Sequence, residues 1–311
     1  MKITVPLSNT DELVPLIKEG ADEFYFGLNL FADKINETNS LNLRPVEFAN
    51  FNNIADAKKS VAISQSYNCP IYICFNKEFY LTYQYNIILR ILKELVKVNL
   101  SGVIVTDIIL IKLIRKMFSG LKIIASTRTN IFNSYSIKFY SKLGVDRFTL
   151  PRHLYFMDII NIVKNKKYEF EIFCRNEDCP YISGFCTYTH TIWDDLNTTR
   201  SFCRETERSN KKFNMGCDSV NYLVKNRLVL KDCGICSLAC LADSNTGKRI
   251  YLKITGRMFN LDKKIRDVRF LKQALHIIYN RKNKINTQAE IKRLYKDIYL
   301  KDCSENCSYK F

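Results

Sequence analysis

Three features of the sequence predict an α/β fold in which eight parallel strands close into a TIM-like (β/α)8 barrel, with a cysteine-rich insert between strands seven and eight and C-terminal helices beyond. Short β-branched or aromatic runs alternate with longer helical patterns from the first residue, eight times over. That alternation builds parallel βαβ units with right-handed crossovers. The length of 311 residues accommodates the ~250 that such a barrel needs. No G-x-G-x-x-G follows the first strand, which argues against an open dinucleotide-binding sheet.

In chain order, Lys2 to Leu7 reads as strand one and Thr10 to Glu19 as a helix, with Gly20-Ala21-Asp22 turning into strand two, Glu23 to Leu28. A helix over Pro45 to Gln65 leads to strand three, Ile71 to Asn76, and a helix over Leu81 to Val98 to strand four, Gly102 to Asp107. Helices at Ile109 to Phe118, Ser134 to Leu143 and Met157 to Lys164 separate strands five (Leu121 to Thr127), six (Arg147 to Pro151) and seven (Tyr168 to Cys174). Arg249 to Gly256 supplies the eighth strand. Past it, Leu271, Ala274, Leu275 and Ile278 form the apolar stripe of one helix, and Thr287 with Glu290 forms the capping box of another. The expected organisation is a barrel over residues 1–257, including a cysteine-rich insert over 174–240, and a helical extension over 258–311 packed against it.

Composition bounds the function. An apolar fraction of 47% with 25% charged residues is ordinary for a protein with a sizeable core. No apolar h-region follows Met1-Lys2-Ile3-Thr4-Val5-Pro6. The most apolar window, Gly102 to Phe118, is broken by Asp107, Lys112, Arg115 and Lys116, short of the roughly 18 uninterrupted residues of a membrane span. The expectation is a cytoplasmic protein with no membrane span, whose thiols stay reduced and whose clustered cysteines mean metal or catalysis rather than disulfides. The net charge of +17 suits a polyanionic partner such as RNA. A Lys-, Asn- and Ile-rich composition accounts for it equally well, because the basic residues are widely spread. Their densest group, Lys263 to Lys301, reads as the solvated faces of two helices.

Eight of the twelve cysteines fall between Cys174 and Cys240, the others there being Cys179, Cys186, Cys203, Cys217, Cys233 and Cys236. Thiolates select iron–sulfur clusters, zinc or copper(I). Structural zinc usually takes paired C-x₂-C knuckles, and only Cys233 and Cys236 are so spaced; an iron–sulfur cluster draws its thiolates from distant points in the chain. Cys69 and Cys74, at strand three, and Cys303 and Cys307, near the end, read instead as small buried hydrophobes. The insert follows the C-terminal end of a barrel strand, where the βα loops converge and active sites are built.

The segments around these cysteines resemble the U32 peptidase (collagenase-like protease) family, nearly throughout the chain up to Arg257. Gly20-Ala21-Asp22-Glu23-Phe24-Tyr25-Phe26-Gly27, Ala125-Ser126-Thr127-Arg128-Thr129-Asn130, Leu150-Pro151-Arg152 and Leu252-Lys253-Ile254-Thr255-Gly256-Arg257 are similar to its motifs, in the same order. Cys179, Cys186 and Cys203 follow its C-x₆-C-x₁₆-C spacing, and Arg208 falls where the family has an arginine after the third cysteine. The resemblance implies a 4Fe-4S cluster held by Cys179, Cys186, Cys203 and a fourth cysteine. Counting back from Gly256 favours Cys236, with Cys233, Cys240 and Cys217 as alternatives. It further implies oxygen-independent hydroxylation, or a related modification, of an RNA, a peptide or a small aromatic compound, and a possible heterodimer with a second family member. A peptidase and a non-catalytic RNA-binding or partner subunit are the alternatives.

Three departures stand at strand ends: Arg128 where the family has Gln, and His153 and Thr255 where it has Glu. They weaken any carboxylate acid/base pair. The chain also shows no H-E-x-x-H, nucleophile elbow or matched triad, which weakens the peptidase alternative. The remaining catalytic candidates are His190, as proton donor or ligand, and Arg152 and Arg257. The two arginines either hold an anionic substrate bidentately or pair with barrel carboxylates.

Overall fold

The computed structural model describes residues 1–29, 41–42, 49–165, 167–177, 183–185, 231–243, 246–280 and 284–303. Within them eight parallel strands close into a barrel: β1 (Lys2–Leu7), β2 (Glu23–Phe26), β3 (Ile71–Phe75), β4 (Gly102–Val105), β5 (Lys122–Ala125), β6 (Arg147–Thr149), β7 (Glu169–Glu177) and β9 (Ile250–Ile254). Each pairs with the next, and β9 closes the ring between β7 and β1. A short strand, β8 (Lys231–Cys233), lies outside the ring and runs antiparallel to the end of β7. The helices are α1 (Leu13–Glu19), α2 (Ile54–Ser66), α3 (Thr82–Val96), α4 (Ile108–Met117), α5 (Ser134–Lys142), α6 (Phe156–Val163), the single turn α7 (Ile235–Leu238), α8 (Leu261–Tyr279) and α9 (Lys284–Tyr299).

Helix starts follow side-chain chemistry. Asn53, Asp107, Asn133 and Asn260 each accept from a backbone N–H in the first turn of the helix they precede, a bond worth about 1 kcal/mol. The cap at Asn53 explains why α2 begins at Ile54 rather than in the helix expected from Pro45. Residues 50–53 are not helical, Leu28 bridges Phe51, and residues 43–48 lie outside the described set. α9 likewise begins at Lys284, so Thr287 is a buried residue within the helix and not its cap. No helix among the described residues is long and apolar enough to cross a membrane.

The outer faces of the strands pack against the helices in one continuous core, including Val5, Phe24, Ile73, Val105, Ile123 and Leu252. The inner faces form something different. Tyr25, Tyr72, Cys74, Ile104 and Ile124 make a separate cluster inside the barrel. Strand register also brings Thr4, Glu23, Arg147, Thr149, Glu171 and Lys253 into the lumen. Arg147 is completely buried, donates through Nη2 to Glu23 at 3.0 Å and through Nε to Glu169 at 3.0 Å, and lies 3.3 Å from the centroid of Tyr251. Glu23 also accepts from Thr4 Oγ1 at 2.7 Å. Burial opposes the charge on Arg147, but the Glu23 carboxylate outweighs it and holds the guanidinium protonated above its ordinary range.

The C-terminal helices dock through a second buried charge. Lys264 on α8 donates to both carboxylate oxygens of Glu12 at 2.8 Å and to the carbonyl of Arg257 at 2.9 Å. This residue departs from the expected solvated face, because Ser8, Glu12 and Arg257 surround its amine with acceptors. Arg266, Arg269, Lys272, Lys292, Arg293 and Lys296 do face solvent.

Removing one member of a buried ion pair leaves the other charge uncompensated. Arg147→Met should therefore cost about 3–5 kcal/mol in urea unfolding. Adding Glu23→Gln should recover part of that loss.

Candidate active site at the barrel mouth

The C-terminal ends of the strands surround a floor built from Tyr25, Cys74, Ile104, Phe173 and Lys253, each buried but not fully sealed. Lys253 donates to Glu171 Oε1 at 2.6 Å and its ammonium lies 4.0 Å from the Tyr25 ring centroid. Thr149 Oγ1 donates to the same Glu171 oxygen at 2.9 Å. Burial pushes the Cys74 thiol up, against the nearby charges of Arg257 and Lys253, so it rests as a neutral thiol in the floor.

The two arginine candidates have distinct duties. Arg257 is buried at the mouth and donates through Nη1 to Asn50 Oδ1 at 2.8 Å and through Nη2 to Asn42 Oδ1 at 3.3 Å. Both acceptors are neutral amides rather than barrel carboxylates. A Cβ at position 27 would collide with Arg257 and Asn50, so Gly27 is the residue that lets the guanidinium approach the end of β2. Arg152 donates through Nη2 to Ser183 Oγ at 3.0 Å and lies 5.2 Å from the Phe173 ring centroid. Gly184 rests against Asn130 and the carbonyl of Arg128 with no room for a Cβ. Arg152 and the turn after β5 thus seat residues 183–185, immediately before Cys186, on the rim of the barrel.

The other end of the cysteine region is anchored on β7. Cys174 lies within that strand, which runs on to Glu177, so the insert starts later than its expected boundary. Gly234 donates to the Cys174 carbonyl at 3.0 Å, and Cys233 is the register partner of Arg175. Cys174 and Cys233 are buried in the main core, Cys236 is half-buried and Cys240 exposed. Burial pushes the Cys174 thiol well up, and the neighbouring Cys233 adds to the effect. Core commitment weakens Cys233 as a ligand and leaves Cys236 and Cys240 as the accessible thiols of this segment. Cys179, Cys186, Cys203, Cys217, His190 and Arg208 lie outside the described residues, as does Cys307. Among the described residues no three His, Cys, Asp or Glu side chains are grouped to hold a metal ion.

A bulge in the β7–β9 pairing between Phe173 and Arg175 turns Arg175 out of the lumen. There it donates to Asp267 Oδ1 on α8 at 3.0 Å and lies 4.7 Å from the Tyr299 ring centroid. Asn176, in the left-handed region at φ 61°, donates to Asp267 Oδ2 at 2.7 Å. Of the departures, Thr255 Oγ1 donates to the Asn176 carbonyl at 2.6 Å, and Arg128 pairs with Glu78. Thr255 therefore ties two strand ends together and offers no acid, while Arg128 is charge-balanced at the rim. His153 sits in the turn after β6.

Sequence reading missed Glu171, Asn42 and Asn50, and it quoted Lys253 only within a motif. A signal existed for Glu171: Glu169, Glu171 and Phe173 alternate in an otherwise apolar strand, which puts two carboxylates on one face. Asn42 and Asn50 come from a loop with no periodic pattern.

A closed parallel barrel with a polar lumen and a cysteine-rich connection at its C-terminal mouth defines a TIM-barrel protein with a site in the usual place for that fold. The chain belongs to peptidase family U32, whose family model matches residues 8–309. It is 25% identical over 288 residues to an uncharacterised protease of Methanocaldococcus jannaschii, covering 88% of this chain and 65% of the relative. It is 23% identical over 189 residues to the tRNA hydroxylation protein P1 of Bacillus subtilis, covering 61% of this chain and 42% of the relative. A collagenase of Porphyromonas gingivalis is 24% identical over 197 residues, covering 60% and 44%. The chain thus spans from about two fifths to two thirds of the length of these curated relatives.

The Arg175–Asp267 pair gives a pH-dependent test of how the base of the cysteine region is held. Burial alone would raise the Asp267 pKa, but Arg175 and Lys263 overcome it and hold the carboxyl below its ordinary 3.8. A depressed folded-state value contributes stability above the unfolded pKa, and that stability is lost as pH falls through the folded value. Asp267→Asn should cost about 3–5 kcal/mol at pH 7. In thermal melts at stepped pH, the gap from the parent should narrow only below about pH 4.

Proposed function

We propose that the protein is a 4Fe-4S enzyme that carries out oxygen-independent hydroxylation, or a related modification, of an RNA, peptide or small aromatic substrate at the barrel mouth. Cys179, Cys186, Cys203 and Cys236 would hold the cluster, with Cys240 the chief rival for the fourth position. The observation that carries this reading is the anchoring of the cysteine region. Residues 183–185 are seated on the rim by Arg152 and the Asn130 turn, and Lys231–Cys233 is paired to the end of β7. These two anchors hold the described chain at the strand ends on either side of Cys186, Cys203 and Cys217 in the sequence. The donor chemistry fits: four soft thiolates suit a cubane cluster. When bound, such a cluster supplies a redox-active, Lewis-acidic iron. The chain's own residues form the floor, position the rim through Arg152 and Arg257, and present Lys253 to whatever enters. The likeness to the tRNA hydroxylation protein, together with the +17 charge, supports an RNA among the possible substrates.

A U32-type peptidase is the second reading, favoured by the names of the Methanocaldococcus and Porphyromonas relatives. A non-catalytic RNA-binding or heterodimer subunit is the third; a steep loss of RNA affinity with rising salt, without turnover, is its signature.

Anaerobic purification followed by iron and sulfide assay tests the first reading. It predicts about four irons per chain, lost in Cys179→Ser and Cys186→Ser. A colourless chain that takes up no iron on reconstitution contradicts it. Gelatin or peptide cleavage by chelator-treated protein that persists in both variants favours the peptidase.

A further inference from the structure

Lys253 sits where solvent contact with the lumen ends. Tyr25, Cys74, Ile104 and Phe173 around it retain 3–6% exposure and the Lys253 side chain 9%, whereas Glu171 and Arg147 beneath it are at 0%. An ammonium has three N–H donors. One is taken by Glu171 Oε1, and the Tyr25 ring covers another side. No acceptor among the described residues takes the third. A donor so buried is costly to leave unfilled, and Lys253 lies on the partly exposed floor of the mouth with the fully buried Glu171 and Arg147 beneath it. Glu171 Oε2 is buried with no hydrogen-bond partner among the described residues and lies 4.0 Å from Arg147 Nη1, so the carboxylate sits between Arg147 below and Lys253 above.

The surroundings limit what that acceptor belongs to. Phe173 is the register partner of Lys253 on the neighbouring strand, and Tyr25 clusters with Cys74 and Ile104. An aromatic and apolar floor with the Lys253 ammonium at its base complements a planar ring that carries a carbonyl or phenolic oxygen. The ring covers the apolar surface while the oxygen accepts the N–H. We propose that Lys253 is a catalytic residue that contacts such a ring oxygen and stabilises the negative charge that develops on it during reaction. Glu171 is a positioning residue that fixes the ammonium. The inference rests on the mouth being the active site, and it does not require the cluster.

The test is saturation-transfer NMR on the full chain, before and after iron loading, with uracil, phenol and N-acetylglycinamide as probes. Both rings should bind and the amide should not. Lys253→Met should weaken ring binding by about tenfold or more, and Lys253→Arg should keep it within about threefold because the donor and charge remain. Glu171→Gln should weaken uracil binding in the parent and have no further effect in the Lys253→Met background, a coupling that general loosening of the fold does not produce. Thermal melts check that each variant is folded, and Lys253→Gln replaces the methionine variant if that one is not. Ring binding unchanged in the folded variant, amide binding equal to ring binding, or no ring binding by the parent each overturns the inference. Ring binding through Lys253 in a chain that takes up no iron keeps it while sinking the cluster reading. Iron uptake with binding indifferent to residue 253 does the reverse.

Discussion

The buried guanidinium of Arg147 is the constraint on which the barrel depends. TIM-barrel lumens are usually filled by layers of branched aliphatic side chains. Here β6 sends an arginine across the lumen to Glu23 on β2, with Glu169 on the adjacent strand and Tyr251 closing over the ring plane. Such a pair gains little net stability over an apolar core, because desolvation offsets much of the attraction. What it supplies is geometry. A guanidinium with fixed donors accepts few arrangements of the strands around it, so the strands and the groups above them are held in one register. The layer immediately above, Glu171, Thr149 and Lys253, inherits that order and forms the base of the mouth.

Charge is used the same way outside the barrel. Lys264 fastens α8 to Glu12 and to the carbonyl of Arg257, so the helix that covers β1 also steadies the residue that closes the mouth. Arg175, turned outward by the β7 bulge, does this for the end of the strand from which the cysteine region departs. Buried ion pairs thus mark the places where the scaffold hands over to the site.

Much of this was legible in the sequence. The eight strands announce themselves through short β-branched and aromatic runs, and their expected limits fall within a few residues of those found, because the outer face of each strand is apolar and packed against the helices. What escaped detection was non-local. β8 has three residues and owes its existence to β7, so no local pattern marks it. Asn53 caps α2, so that helix starts at Ile54, a boundary set by one side-chain bond. Lys264 looked like one more basic residue on a helix, and its carboxylate partner Glu12 lies 252 positions away. At the site, the cysteine spacings and the motifs at strand ends pointed to the mouth. The partners that define its chemistry, Glu171 for Lys253 and Asn42 and Asn50 for Arg257, come from strands and loops far apart in the chain.

The central claim is that Cys236 completes a cluster with Cys179, Cys186 and Cys203. Electron paramagnetic resonance of the reduced, anaerobically reconstituted full chain tests it most directly, with Cys236→Ser and Cys240→Ser compared with the parent. The account predicts a 4Fe-4S signal in the parent, retained in Cys240→Ser and lost or altered in Cys236→Ser. No signal in the parent, or one that survives in Cys236→Ser unchanged, would contradict it.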